Sequence, residues 1–503
     1  MTVTNENTGR ATMTSAVDGE MPTIVPPHER GGAWGKAGTS WAIFEFARNP
    51  YYLLVVIYVF APYLSRDVVA ANAIAEGLFD HLAPEDARKA ALAHGQAFVA
   101  GVTKWAGFAA ALTAPILGAT LDRGPKRKPL IGVFLAILCC MSFSLWWVKP
   151  GDEGLSLFWT GCILIVASTC FTYSEVIHNS MLPDAGRPDV LPRISGHGLA
   201  LGNMAGAILM IGIVVMFALP AMTGMPFSEP LFGIDISQFE HFRIAGPVAA
   251  VWLAIFIWPF FMYCPDSGKA GASWTRAVKE GVQGILGTLK KAVHYREVLK
   301  YLVSRMIYAD GMSALLALGA VYVAGVLDWS IVELVGYAIW LSIFATVGGF
   351  FGAFLDRVLG TKKALILELS ALTVVLFLLI SVTQESMLYG LIESERMLDG
   401  NIYSHSHDWF YLAIAGFLGT FATACISSSR SMLVAMAPKD MIGEFFGLYA
   451  IAGTVTVWIG PLGVEILTSM YNSQQIGMSF ISVLFLGGML VLLTVRHPKS
   501  SNG

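Results

Sequence analysis

Apolar runs of about 20 residues, separated by short polar stretches, recur along the chain from residue 41 onward. They fall at 41–64, 98–119, 129–148, 155–178, 197–219, 244–264, 301–326, 331–354, 364–384, 410–434, 446–468 and 476–495. A helix of about 20 residues crosses the ~30 Å hydrocarbon core of a bilayer. Lipid offers the backbone no hydrogen-bond partners, so the pattern predicts an all-α integral membrane protein with twelve transmembrane helices. Residues 1–38 are polar, small and Pro-containing, without the apolar core of a signal peptide, and read as a disordered cytoplasmic tail. Residues 265–299 separate six spans from six, which gives an N-terminal bundle at 39–264, a C-terminal bundle at 300–496 and a short cytoplasmic tail at 497–503.

An internal repeat supports that division. GATLDR at 118–123 returns as GAFLDR at 352–357, and each copy is followed by basic residues, Lys126, Arg127 and Lys128 in the first and Lys362 and Lys363 in the second. Asp122 and Asp356 are 234 positions apart in a chain of 503 residues, so the two bundles read as pseudo-symmetric halves. In a membrane, such halves point to a secondary transporter. Gly118 and Gly352 would let two helices approach closely, and an acid is favoured near a neighbouring helix N-terminus. Gly118, Asp122, Arg123, Gly352, Asp356 and Arg357 are therefore read as gating and structural residues rather than ligands of a solute.

Composition narrows the classes. The chain is 55% hydrophobic and 13% charged with mean hydropathy +0.63, too apolar for a water-soluble surface. A net charge of −3 gives no reason to expect a nucleic-acid partner. The six cysteines lie in apolar runs and read as packing residues, and neither metal-ligand spacing nor a cofactor motif occurs. Without a GxxxxGK[ST] loop an ATP-driven pump is disfavoured, and without a nucleophile–base constellation so is an enzyme. Loops 2–3, 4–5, 6–7, 8–9 and 10–11 carry 17 Lys and Arg against 6 on the other side, which puts both termini in the cytoplasm. Short loops and compact size suggest a bacterial cytoplasmic membrane and a functional monomer. Within 265–299, Trp274, Val278, Val282, Ile285, Leu289 and Val293 form the stripe of an amphipathic helix, lying on the inner leaflet or packed on cytoplasmic loops.

Charges inside hydrocarbon are costly unless paired or hydrated, so they mark candidate sites. Glu45 and Arg48 lie in the first span, Glu175 and His178 in the fourth, Arg305 and Asp310 in the seventh, and Arg430 in the tenth. Aligning Pro183 with Pro438 brings Glu175 into register with Arg430, opposite charges that could clamp a zwitterion or close as a salt bridge; two independently solvated charges is the alternative. Asp310, about 15 Å deep by its helical rise, is the leading candidate to carry a proton, with Glu45 and Glu175 next. Pairing of Asp310 with Arg48 or Arg305, and of Glu45 with Arg48 one turn on, is the structural alternative. His178 reads as a satisfied polar residue. Asn49–Pro50 frees backbone groups for a ligand or for bending. Gly198, Gly202 and Gly206 make a GxxxGxxxG row expected at the interface between the bundles.

The GxxxDR element with its basic run resembles the signature of the major facilitator superfamily, in which helices 1, 4, 7 and 10 line the central cavity. SWAIFEFARNPY (40–51), NSMLPD (179–184), RISGHGLALGNMAG (193–206), YADG (308–311), SSSRSML (427–433) and EFFGLYAIAG (444–453) together resemble the vacuole effluxer family, named for an autophagy-related exporter of vacuolar amino acids. The chain departs from that pattern at Glu45, Arg48, Glu175 and Thr454, where the family more often has Asp, Asn, Asn and Lys. The resemblance implies alternating access and a small polar solute such as an amino acid, and the deep acids add an expectation of proton coupling. A transport-inactive sensor or scaffold and a membrane-embedded enzyme are the other classes.

Overall fold

The computed structural model describes residues 35–121, 126–151, 154–186, 190–220, 226–266, 279, 283, 294–400, 402–437, 445, 448–449 and 451–496. Twelve helices follow the apolar runs: α1 Gly35–Ala75, α2 Pro84–Leu121, α3 Lys128–Ser144, α4 Leu157–Ser180, α5 Leu191–Ile213, α6 Glu240–Tyr263, α7 Arg296–Val326, α8 Ile331–Leu359, α9 Thr361–Ile380, α10 Ser406–Met436, α11 Ile459–Tyr471 and α12 Gln474–Thr494. Helices α1–α6 and α7–α12 form two six-helix bundles. The packing repeats between them: α2 meets α4 as α8 meets α10, α3 meets α6 as α9 meets α12, and α1 meets α6 as α7 meets α12. The face of the repeated GxxxDR element is called the motif face, and the opposite one the far face.

Two boundaries differ from the apolar runs. The expected loop at 65–97 is mostly helix, because α1 continues for 41 residues and α2 begins at Pro84. Hydropathy marks only the apolar part of a helix, whereas Arg66, Asp67, Glu85 and Arg88 interrupt the apolar run without interrupting the helices. In the eleventh span, expected from 446, the described residues 448–449 and 451–452 are helical, 453–458 are turns, and regular helix resumes at Ile459. The β-branched run Thr454–Val457 loses rotamer freedom in a helix, and Pro461 cannot donate to the carbonyl of Val457. The amphipathic stripe from Trp274 to Val293 lies outside the described residues, as do the first 34 residues of the tail, Asp122 and Arg123.

Glycine sets how closely the helices approach. A Cβ on Gly202 would lie 3.0 Å from Asn49 Cβ and 3.2 Å from the Glu45 carbonyl, and Gly198 meets Trp41 and Glu45. The row Gly198, Gly202, Gly206 thus fits α5 onto α1 inside one bundle, not between the bundles as expected, because its partner is fixed by the fold rather than by the row. Gly352 of the second motif serves α8–α10 contact in the same way, its missing Cβ pointing 2.8 Å from Ala424 Cα.

The basic residues after each motif cap helix ends. Lys128 Nζ donates to the Phe261 carbonyl near the end of α6 at 2.8 Å, and Lys362 Nζ donates to Leu493 and Val495 carbonyls at the end of α12 at 3.1 and 2.6 Å. These correspond under the two-fold repeat. Arg127 donates to the Leu121 and Ser180 carbonyls at the ends of α2 and α4. A cation is favoured at the negative end of a helix dipole, so the clusters hold each bundle together on the motif face. Arg357 is exposed, and the half-buried Asp356 has one carboxylate oxygen without a hydrogen-bond partner among the described residues.

The two bundles touch at the far face. Arg66 and Arg88 reach Asp328 at 3.6 and 3.1 Å, and Arg66 also donates to the Trp329 carbonyl at 3.0 Å. Gln96 and Gln474 exchange hydrogen bonds, Gln96 also donating to Thr468 Oγ1 at 3.1 Å. Deeper, Lys104 of α2 pairs with Glu465 of α11 at 2.6 Å, and Phe108 packs edge-on to Trp458.

Two outcomes follow from this packing. Gly202→Leu should cost about 1–3 kcal/mol by forcing α5 from α1, lowering the melting temperature in detergent, whereas Gly212→Leu, facing open space, should not. Glu465→Gln leaves Lys104 unpaired between the bundles and should cost about 1–2 kcal/mol, allowing for partial hydration. The exchange Lys104→Glu with Glu465→Lys should recover most of that loss; a double-mutant cycle showing no coupling would contradict the pair.

Candidate functional site

Between the bundles lies a cavity of about 800 Å³. It runs from the far-face closure toward the motif face, where Asn179 at the end of α4 and Ser195 at the start of α5 line its wall. Of the residues expected to serve a path, Glu45, Arg48, Glu175 and Arg430 line it.

The N-terminal wall is built from two pairs one helical turn apart: Glu45 and Arg48 on α1, Glu175 and His178 on α4. Arg48, 3% exposed, donates to both carboxylate oxygens of Glu45 at 3.1 and 2.9 Å and to the Phe171 carbonyl at 3.2 Å. Its guanidinium lies 4.1 Å from the Phe171 ring centre and 3.6 Å from Glu175. A planar fork suits this bidentate, stacked setting in a way an ammonium would not. His178 is fully buried. Its ring is stacked between Trp41 and Phe44, each at 4.0 Å, with Nε2 2.9 Å from the Trp41 carbonyl and Nδ1 3.2 Å from Glu45. Trp41 Nε1 returns a bond to the His178 carbonyl at 3.0 Å.

Pro50 shapes the same wall. Lacking an N–H, it leaves the Phe46 carbonyl free, and Trp252 Nε1 of α6 takes it at 2.9 Å. The freed group therefore ties two helices. The chain beyond passes through π-helical stretches at Tyr52–Tyr58 and Leu64–Ala70.

The opposite wall carries Arg430 of α10, exposed and without an ion pair among the described residues. Glu175 keeps 48% of its side chain exposed, so these two opposite charges share one cavity without closing on each other as an ion pair. Beside Arg430, Ser429 Oγ gathers the hydroxyls of Tyr308, Tyr301 and Tyr449 at 2.7, 2.9 and 3.0 Å.

Arg305 and Asp310 stand elsewhere. Arg305 donates to the Tyr449 carbonyl at 2.7 Å and stacks on its ring. Asp310, 2% exposed, lies between α7 and α11 and accepts the Gly460 N–H at 3.0 Å; its other oxygen has no partner among the described residues. The pairing of Asp310 with Arg48 or Arg305 does not form.

Three participants were not singled out by the sequence. His178, read as a satisfied polar residue, bonds the Trp41 carbonyl and also meets Glu45 across two helices. Lys104, Glu465 and Glu368 are intramembrane charges on α2, α11 and α9, so charge is not confined to the cavity-lining helices; Glu368, fully buried, accepts from Ser428 at 2.8 Å. The legible signal was a lysine at mid-span with no acid within a turn, which requires a partner from another helix. At the far face, His405, His407 and Asp408 bring ligand atoms within 4.8 Å of one another. Those atoms are engaged: Asp408 caps α10 and accepts from Trp329 at 2.6 Å, and His407 bonds Ser394 and Asp408.

Comparison with known proteins agrees with this architecture. The model of the family described as "Vacuole effluxer Atg22 like" matches residues 36–502. An MFS-type transporter of Bacillus subtilis, YxiO, itself uncharacterized, is 20% identical over 93% of this chain and 96% of its own length. Autophagy-related protein 22-2 of Emericella nidulans is 25% identical over 61% of this chain and 51% of its own, so the chain spans about half of that fungal relative. Among solved structures, a D-xylose–proton symporter superposes with TM-score 0.60 at 9% identity over 93% of this chain and 98% of its own. An inward-facing bacterial homologue of the lysosomal transporter Spinster does so with 0.54 at 12%, over 92% and 98%. The two-bundle fold is that of major facilitator transporters, and the chain belongs to the Atg22-like vacuole effluxer family.

Proposed function

We propose that this membrane transporter is a secondary active carrier of a small zwitterionic solute, an amino acid in the first instance, coupled to protons. The observation that carries the reading is Glu175 and Arg430 on opposite walls of one cavity, each contributed by a different bundle. An ammonium group at Glu175 and a carboxylate at Arg430 would be held by charge-assisted bonds whose formation draws the bundles together. The basic loops orient the motif face to the cytoplasm, so the far-face contacts form the outer closure and the cavity is the inward-open state. In the outward-open state the Arg66–Asp328, Arg88–Asp328 and Lys104–Glu465 pairs must part.

The family description and the proton-symporter neighbour support export-type transport and coupling as working expectations for a monomer in a bacterial cytoplasmic membrane. Glu45, Glu175 and Asp310 are the acids that could take the proton. Movement of α11 would break the Asp310–Gly460 bond, which gives Asp310 a route into the cycle, while Arg305 would hold the segment before α11. Asp356 and Arg357, with Asp122 and Arg123, would gate the motif face.

Flux of a mixed amino-acid and peptide panel into proteoliposomes, with and without a pH gradient, tests the reading. Accumulation of at least one zwitterionic member should require the gradient. Arg430→Gln should raise its KM about tenfold, the loss of one charge-assisted hydrogen bond of about 1.5 kcal/mol. Gradient-independent behaviour of every panel member in well-folded protein would overturn it.

A further inference from the structure

We infer that Glu45 Oε1 and His178 Nδ1 share one exchangeable proton and form the proton-binding site of the cavity. The argument begins at the other side of the ring. His178 Nε2 is 2.9 Å from the Trp41 carbonyl oxygen, which can only accept, so Nε2 carries a hydrogen. Nδ1 then lies 3.2 Å from Glu45 Oε1, at ion-pair distance though not aligned as a hydrogen bond. A bare nitrogen lone pair that close to a carboxylate would repel, so a proton resides on one of the two groups, either as imidazolium beside carboxylate or as imidazole beside carboxylic acid. Stacking of the ring between Trp41 and Phe44 keeps it from turning to another partner.

The site is built to exchange. His178 is sealed from water, but Glu45 keeps 15% of its side chain exposed and lines the cavity, so the proton can pass to cavity water through the carboxylate. The groups facing the pair are few. Arg48 of α1 and Glu175 of α4 bring charge; α6 presents Phe260 to the ring, and α5 presents Gly198 to the Glu45 side chain. His197, next to Gly198 on α5, is exposed.

With the proton bound, Glu45, Arg48, Glu175 and His178 together are formally neutral. When it leaves to water, His178 keeps its Nε2–H, Glu45 stays an anion bound to Arg48, and the wall gains one net negative charge. The α1–α4 contact also changes from attraction to lone-pair repulsion. Proton loss therefore alters both the charge offered to a solute and the packing of two cavity-lining helices. This rests on the proton-coupled reading above, but the chemistry of the pair can be measured without transport.

The full-length protein, ¹⁵N-labelled at histidine in detergent, should show one resonance pair, lost in His178→Gln, whose Nδ1 gains and loses a proton with pH while Nε2 stays protonated. In Glu45→Gln the Nδ1 titration should be displaced or absent. Loss of the Nε2 proton, or an unchanged Nδ1 titration in Glu45→Gln, would overturn the assignment. In proteoliposomes supplied with an equimolar mixture of labelled amino acids, Glu45→Gln should abolish gradient-driven accumulation yet keep exchange. Loss of accumulation in Asp310→Asn alone would move the site there. If wild-type protein transports none of the mixture, the amino-acid reading falls and the resonance experiment alone decides. Should His178→Gln not fold, the near-isosteric Glu45→Gln supplies both readouts.

Discussion

A charge in hydrocarbon must be paired, and the pairing of Arg48 organises the cavity of this protein. Left bare, a guanidinium at that depth would cost several kcal/mol. Its partners come from its own helix and from α4: Glu45 in a two-pronged bond, Glu175 at longer range, the Phe171 carbonyl and the Phe171 ring. Meeting that demand draws α1 against α4, brings His178 to Glu45 and leaves Glu175 half in water. The polar wall of the cavity is thus a consequence of neutralising one buried arginine.

The surrounding bundle is stiff for a different reason. Hydrophobic burial gives little drive between helices already in lipid, so contact relies on close backbone approach and on hydrogen bonds. Gly198, Gly202 and Gly352 supply the first. Lys128, Lys362 and Arg127 supply the second by tying helix ends on the motif face. Contacts within a bundle are apolar, close and numerous. Those between bundles at the far face include ion pairs and amide bonds, which water can replace, beside ring contacts such as Phe108 on Trp458. That contrast suits two rigid bodies that part and rejoin.

Much of this was legible along the chain. The twelve apolar runs, the repeat and the division into two halves depend on length and period, properties local to a segment. The correspondence of Glu175 with Arg430 was readable from the repeat register, and both line the cavity. Pairings across helices were not. The glycine row on α5 was visible as a row, but its partner α1 was not, since any helix could accept it. Arg305 and Asp310 looked like path residues by depth; rotation of α7 turns them toward Tyr449 and Gly460 instead.

By itself the sequence determined what the bilayer selects for: where helices cross, how many there are, and that the two halves are related. Those follow from hydrocarbon thickness and from backbone hydrogen bonding, which act on each segment alone. Only the tertiary structure decided which face of each helix meets which neighbour, and so that Glu45 meets His178, Lys104 meets Glu465 and Asp310 meets a backbone amide. A helix places its side chains at fixed angles about its own axis, but the rotation of that axis in the bundle is set by the packing of all the others.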